Sequence, residues 1–371
     1  MTAKRRPYDR LLCSASLLLL GIGVVMVYSS SAIKAQEKFG DPFLFLKKQL
    51  LWALIGLAVM VWAMHRDYHA FQRYAPLLFL ASLLLLLLVL IPSVGVKVNG
   101  ARRWLRMFGI SFQPSELAKL SLVLLLASFF ARRGEHVESF MQGFLPPLIL
   151  SGLFFGLIVL QPNFGTAAVL MLAAGALFFA AGVRLTHLGA ALVVAGSLCV
   201  LLVQAHPYAK NRLIALMDPA RASSRATYQL HQSFYALGPG GILGRGLGDS
   251  IQKLFYLPES HTEFIFAIVG EEIGFVGALL VVSLYGILLW RGTRIALRAP
   301  DPFGAYASMG ITFVIVSQAA VNLGVVVGLL PTTGVPLPFI SFGGSSLVTT
   351  LLGIGIVLGI SRYQVTRGRP S

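Results

Sequence analysis

APLLFLASLLLLLLVLIP, residues 75–92, carries no charged side chain and a single hydroxyl. As a helix rising about 1.5 Å per residue, such a run nearly spans the roughly 30 Å hydrocarbon core of a bilayer. Runs of the same character recur at 11–33, 49–64, 114–131, 144–160, 165–182, 187–205, 264–290, 304–328 and 342–361. The pattern predicts an all-α polytopic membrane protein with about ten transmembrane helices. It forms a single domain, 1–371, with one long connection at 206–262. Composition agrees: 56% of the 371 residues are hydrophobic and 12% charged, about half the charge of a soluble domain. MTAKRRPYDR leads straight into the first run, which is too long for a cleavable signal core and reads as a retained span.

The net charge of +16 raises nucleic acid as a partner, but the basic residues are scattered between spans instead of forming a block. Orientation and contact with membrane lipids account for them better. Placing both termini inside puts 15 of the 30 Lys and Arg in the cytoplasm, among them Lys4, Arg5, Arg6, Arg367 and Arg369. Short outer connections then hold eight, and the 206–262 loop faces outward. Cys13 and Cys199 fall in apolar runs near opposite faces, which argues against a disulfide.

One outer loop defies that charge rule. VKVNGARRWLRMFGISF, 96–112, sets Lys97, Arg102, Arg103 and Arg106 outside. Binding of a phosphate or pyrophosphate explains them; snorkelling around Trp104 is the alternative.

YLPESHTEFIFAIVGEEIG, 256–274, gathers four of the 14 acidic residues at the mouth of a hydrophobic helix. Thr262 is the expected N-cap, with Glu263 in the first turn, where the helix dipole favours a carboxylate. At the water boundary such a group can take a proton from a sugar hydroxyl. Glu271 and Glu272 lie deeper, and a cation on another helix is the expected partner for at least one of them. In FQPSELAKLSL, Gln113, Glu116 and Lys119 share a helix face, so Lys119 either pairs with Glu116 or contacts a phosphate. The glycines between 238 and 248 lack the strand and GK[ST] ending of a nucleotide loop, and read as tight turns. NLGVVVGLLPTTGVPLPFISFGGSSL, 322–347, has irregular backbone that a membrane tolerates only inside protein or around a wet cavity.

GARRW…FQPSELAKL, QPNFGTA, YQLHQSFYALGPGGILGRGLG, KLFYLPESHTEFIFAIVGEE and GLLPTTGVPLPFISFGGSSL, in this order from first span to last, resemble the SEDS family of FtsW, RodA and SpoVE. QSFYALGPGG and LLPTTG look more like the division and sporulation branch than the RodA elongation branch. The resemblance implies a peptidoglycan glycosyltransferase of the bacterial cytoplasmic membrane. Such an enzyme polymerises lipid II at the outer face during septal wall synthesis, beside a class B penicillin-binding protein and other divisome proteins. The family's catalytic aspartate, in HTDF, is Glu263 here, one methylene longer, and the aspartate of QPDLGTA is Asn163. Lys119 matches the lysine of the family's fourth helix.

On that resemblance Glu263 is the general base. Lys119, Arg102, Arg103 and Arg106 are candidates for the pyrophosphate, with Gln113 and Glu116 beside them. Glu259 or His261 orients Glu263 or holds a divalent cation, Mg2+ or Mn2+. No cofactor is otherwise implied, and no metal ligand set can be named. A lipid II flippase or ion-coupled carrier would also use intramembrane Glu116, Lys119, Glu271 and Glu272, but no inverted repeat is evident. A noncatalytic division scaffold is the third alternative.

Overall fold

The computed structural model describes residues 7–98, 101–107, 110–205, 207–217, 225–254 and 256–363. The terminal cations Lys4, Arg5, Arg6, Arg367 and Arg369 of the orientation argument lie outside the described residues. All ten expected runs are helices. They are α1 (Arg10–Phe39), α2 (Leu44–His65), α3 (Tyr68–Leu90), α4 (Pro114–Arg133), α5 (Leu145–Leu160), α6 (Phe164–Ala180), α7 (Leu185–Ala205), α10 (Ile265–Leu297), α11 (Pro302–Val326) and α12 (Gly344–Ser361). Among the described residues nine helical stretches are long and apolar enough to cross a membrane, and α6 is apolar but shorter.

Several helices outrun their apolar stretch. The first continues six residues beyond the expected end through Ala35, Gln36, Glu37 and Lys38, good helix formers, and stops at Gly40 in the left-handed region (φ 72). The third begins at Tyr68, where Asp67 caps His69 N. Hydrophobicity measures the part in lipid, not the length of the helix. α4 and α12 form the centre: α12 packs on α2, α11 and α4, and α4 on α3, α6 and α11. α7 is the opposite case, with no buried residue.

Two features lie outside the sequence expectations. β1 (Gly95–Val98), β2 (Ala101–Met107) and β3 (Ile110–Phe112) form an antiparallel sheet in the order β1-β2-β3. The long loop holds two further helices, α8 (Pro207–Met217) and α9 (Arg225–Gly240).

The loop that follows α9 enters α10 itself. In an unbroken helix Phe275 N would bond Glu271 O, and Val276 N would bond Glu272 O. Instead these amides donate to Gly241 O (2.9 Å) and Ile242 O (3.1 Å), while Glu271 O and Glu272 O accept from Arg245 N and Gly246 N, each at 3.0 Å. The break centres on Gly274 (φ 75, ψ −165). Gly244 (φ +79) faces the Glu272 carbonyl so closely that a Cβ would collide with it. The glycine-rich turn thus completes the hydrogen bonding of a helix it interrupts.

The side chains at the break fix the same turn. Glu271 accepts from Ser250 Oγ (2.5 Å) and Ile251 N (2.9 Å), with Arg245 Nη1 at 3.5 Å. Glu272 accepts from Lys253 Nζ (2.8 Å) and Ser29 Oγ (2.7 Å). Both carboxylates are fully buried. The expected helix-borne cation is therefore corrected: Arg245 and Lys253 both come from the loop between α9 and α10, and α1 adds only the Ser29 hydroxyl.

Candidate active site

The turn 256–264 carries the acidic motif and is held from three sides. From α1, Lys34 Nζ donates to Leu257 O and Ser260 Oγ, both at 2.9 Å. From the 331–343 segment, Phe342 N donates to His261 O (2.9 Å) and Ser341 Oγ to Thr262 O (2.5 Å). From α11, Asn322 Nδ2 donates to Glu263 O (2.7 Å). Each main-chain carbonyl from 261 to 263 is thereby occupied.

Thr262 is not the helix cap. Its hydroxyl bonds Glu259 O (3.2 Å) and Glu259 Oε2 (3.0 Å), and α10 starts later, at Ile265, behind Phe264. Glu259 adopts φ 54, the left-handed region that non-glycine residues rarely enter.

Glu263 opens on a cavity of about 380 Å³, within the range of small-molecule sites. Glu259 and Thr262 line it with Glu263, as do Arg103 and Trp104 of β2 and Gln113 before α4. The loop helices close it with Asn211, Arg212 and Gln229, and the segment before α12 adds Gly334, Pro336, Ser345 and Ser346. Gly334 (φ +82) lies directly against the carboxylate. A Cβ there would stand 3.0 Å from Glu263 Oε1 and 3.7 Å from Arg103 Nη1. Acid and guanidinium thus converge on a face that lacks a side chain.

A one-residue bulge explains why two successive residues of β2 face the cavity. Val96 pairs with Trp104 but Lys97 with Arg102, leaving Arg103 as the extra residue, and such a bulge re-aims a side chain. Arg103 Nε then donates to Gln161 O (3.1 Å) and its Nη2 to Pro162 O. Arg212 Nη1 donates to Thr332 O. Both guanidinium groups are oriented by carbonyls and edge the cavity.

The structure gathers Glu263, Glu259, Arg103 and Gln113 from the sequence candidates. Arg102, Arg106, Lys119, Glu116 and His261 do not line the cavity. Lys119 is paired with Glu116 (3.0 Å) and also donates to Gln318 Oε1; both charges are buried. They border a separate void of about 20 Å³ between α4, α11 and α12; of the two expected roles for Lys119, the pair with Glu116 is the one the structure shows. Arg106 is exposed on the sheet.

His261 packs between Phe45 (4.8 Å) and Phe342 (6.0 Å), its Nδ1 buried without a hydrogen-bond partner. Burial pushes its imidazole down to about 4, so it is neutral at physiological pH and faces aromatic rings instead of Glu263. Trp104 was weighed only as an interfacial anchor, while Asn211, Arg212 and Gln229 were missed. The only sequence signal for the last three was the polar, basic character of the long loop. Among the described residues no group of three or more His, Cys, Asp or Glu could hold a metal ion.

The FtsW/RodA/SpoVE family of cell cycle proteins matches residues 9–366. The chain belongs to this family. Stage V sporulation protein E of Bacillus subtilis (strain 168) is 44% identical over 364 residues, 98% of this chain and 100% of that protein. The probable peptidoglycan glycosyltransferase FtsW of Geobacter sp. (strain M18) is 43% identical, over 95% of this chain and 96% of its own. A chain of a solved peptidoglycan synthase complex, which coordinates polymerization and crosslinking, superposes with a TM-score of 0.78 at 31% identity, covering 96% of this chain and 98% of that one. The rod shape determining protein RodA of Thermus thermophilus superposes at 0.71, also 31% identical, with the same coverage. The mostly helical polytopic fold, with its one small sheet, is thus that of SEDS proteins. The relatives span both the division and the sporulation branch.

Proposed function

We propose that the chain is a peptidoglycan glycosyltransferase that polymerises lipid II at the outer face of the bacterial cytoplasmic membrane during septal wall synthesis. The observation that carries this is the convergence of the Glu263 carboxylate and the Arg103 guanidinium on the bare face of Gly334, inside a cavity sized for a sugar. The activity named for the FtsW relatives and the matching synthase complex support it, as does the excess of basic residues in the segments read from the sequence as cytoplasmic.

Glu263 takes the proton from the 4-hydroxyl of the acceptor N-acetylglucosamine. The oxygen attacks the anomeric carbon of the donor N-acetylmuramic acid from the face opposite the phosphate. As the new β-1,4 bond forms, the bond from that carbon to phosphate breaks, and its electrons leave on undecaprenyl pyrophosphate. Arg103 and Arg212 offset the growing charge, being already oriented by main-chain carbonyls. Both substrates are lipid-anchored, which requires a site at the bilayer surface. A class B penicillin-binding protein is the partner that would crosslink the product.

Labelled lipid II, supplied to the full chain with its transpeptidase partner, tests this. Glu263→Gln should lower the rate on the order of 10²- to 10⁴-fold, the usual share of a general base, while Glu263→Asp keeps part of it. Glycan strands made by Glu263→Gln at the normal rate would overturn the assignment.

A further inference from the structure

Asn322 lies on α11 with 1% of its surface exposed. Its one amide nitrogen donates to two carbonyls, Glu263 O at 2.7 Å and Val335 O at 2.8 Å. The side-chain orientation is therefore settled, because a flipped amide would set its oxygen against both acceptors. Its own Oδ1 is buried without a hydrogen-bond partner, an unfavourable state that an apolar residue would avoid. The fold accepts it where both N–H groups are in use.

The two carbonyls belong to the two halves of the site. One is that of Glu263 itself. The other is adjacent to Gly334, whose bare face meets Glu263 Oε1. Four residues earlier on the same helix, Gln318 Nε2 donates to Pro336 O at 3.0 Å, and its Oε1 accepts from Lys119. At the i, i+4 spacing the two amides stand one above the other on one helix face. Gln318 grips the segment one residue further on; Phe342 N and Ser341 Oγ tie it to His261 O and Thr262 O, and Asn322 ties it to the carbonyl of Glu263 itself.

The geometry points to Asn322 as a positioning residue, one that holds the Glu263 carboxylate in register with the Gly334 face. This rests on Glu263 acting as the base. Asn322 does not line the cavity, so it acts through Glu263 and not on the sugar. Its loss should lower kcat and leave lipid II affinity in place, because a displaced reacting group loses rate on the order of 10²-fold per ångström.

The test is lipid II polymerisation by the full chain with its transpeptidase partner, in four forms: wild type, Asn322→Ala, Glu263→Gln and the double variant. Expected are a roughly 10- to 100-fold lower kcat for Asn322→Ala with KM within about twofold, and no further loss when it is added to Glu263→Gln. Wild-type kcat in a folded Asn322→Ala chain overturns the inference, as does a change confined to KM. An additional loss in the double variant does so too, since the residue would then act independently of the base. If Asn322→Ala does not accumulate as folded protein, Asn322→Ser, which keeps one donor, replaces it under the same criteria. Failure of both to fold makes the residue a structural clamp and ends the proposal. Full activity of Glu263→Gln would instead refute the base assignment, which separates the two failures.

Discussion

Replacing Lys253 by methionine should destabilise the protein more than any other change of one charge in the loop between α9 and α10. Lys253 Nζ lies 2.8 Å from Glu272 Oε1, with side-chain exposures of 5% and 0%. At an effective dielectric near 20, that pair attracts by about 6 kcal/mol before desolvation is counted. Desolvation is already spent on Glu272 in the variant, which keeps only Ser29 Oγ as a side-chain partner. Removing one member of a buried pair typically costs about 3–5 kcal/mol, and Lys253→Met should fall there. The double variant Lys253→Met/Glu272→Gln removes the stranded charge as well, and should recover most of the loss. Thermal unfolding of wild type, Lys253→Met, Glu272→Gln and the double variant in one detergent, arranged as a double-mutant cycle, measures this. Faster hydrogen exchange at the amides of 241–253 should accompany the single change. A Lys253→Met protein within about 0.5 kcal/mol of wild type, the scale of an ordinary surface change, would refute the view that the pair fastens the loop. Additive effects in the cycle would refute it too.

Lowering pH should weaken the fold through His261. Its ordinary value is 6.5 and burial lowers it to about 4, so between those limits the unfolded chain binds the proton and the folded one does not. Stability is intact above about pH 6.5 and falls as pH drops toward 4, by at most roughly 3 kcal/mol. Unfolding midpoints of wild type and His261→Gln across that window check it, the variant having the flatter profile. Gly244→Ala should cost roughly 2–5 kcal/mol, since φ +79 strains any Cβ and that Cβ meets the Glu272 carbonyl; the same unfolding assay reads it. Arg212→Ala should lower kcat/KM for lipid II on the order of 10- to 100-fold, with Arg212→Lys intermediate; values within twofold of wild type would remove it from the pyrophosphate site.

What could be read beforehand follows the range of each interaction. The spans were legible because insertion into lipid depends on a local property, the hydrophobicity of one run. The Glu116–Lys119 pair was legible because its members are one helical turn apart. Its third member, Gln318, is 199 residues away, and without it Lys119 looked available for phosphate. The same holds for Glu271 and Glu272, whose charge partners arrive from a turn that enters their own helix. The α8 and α9 helices are amphipathic and need the surface of other elements, which hydropathy does not register. Within the arginine cluster the residue type was informative, but its aim was not. A single bulge brings Arg103 to the cavity while Arg102 and Arg106 stay outside, and nothing in ARRWLR distinguishes the three.

The acidic motif divides its labour by depth. Glu271 and Glu272 are consumed by the loop, and their hydrogen bonds leave nothing for a substrate. Glu259 accepts from Thr262 and, with Glu263, faces the cavity. The deep pair and the shallow pair are nonetheless one device. The half-helix 265–273 links the turn bearing Glu263 to the break at Gly274, and through the break to the loop whose helices supply Arg212 and Gln229. An unbroken α10 would satisfy its own amides and leave that loop unattached; the break makes the loop a necessary part of the helix. The carboxylate and, through the loop, Arg212 are therefore tied to one element, while Arg103 is held separately from β2 by Gln161 O and Pro162 O. A charge-poor membrane protein concentrates acids here because an apolar loop could slide along the helix, whereas buried ion pairs set its register.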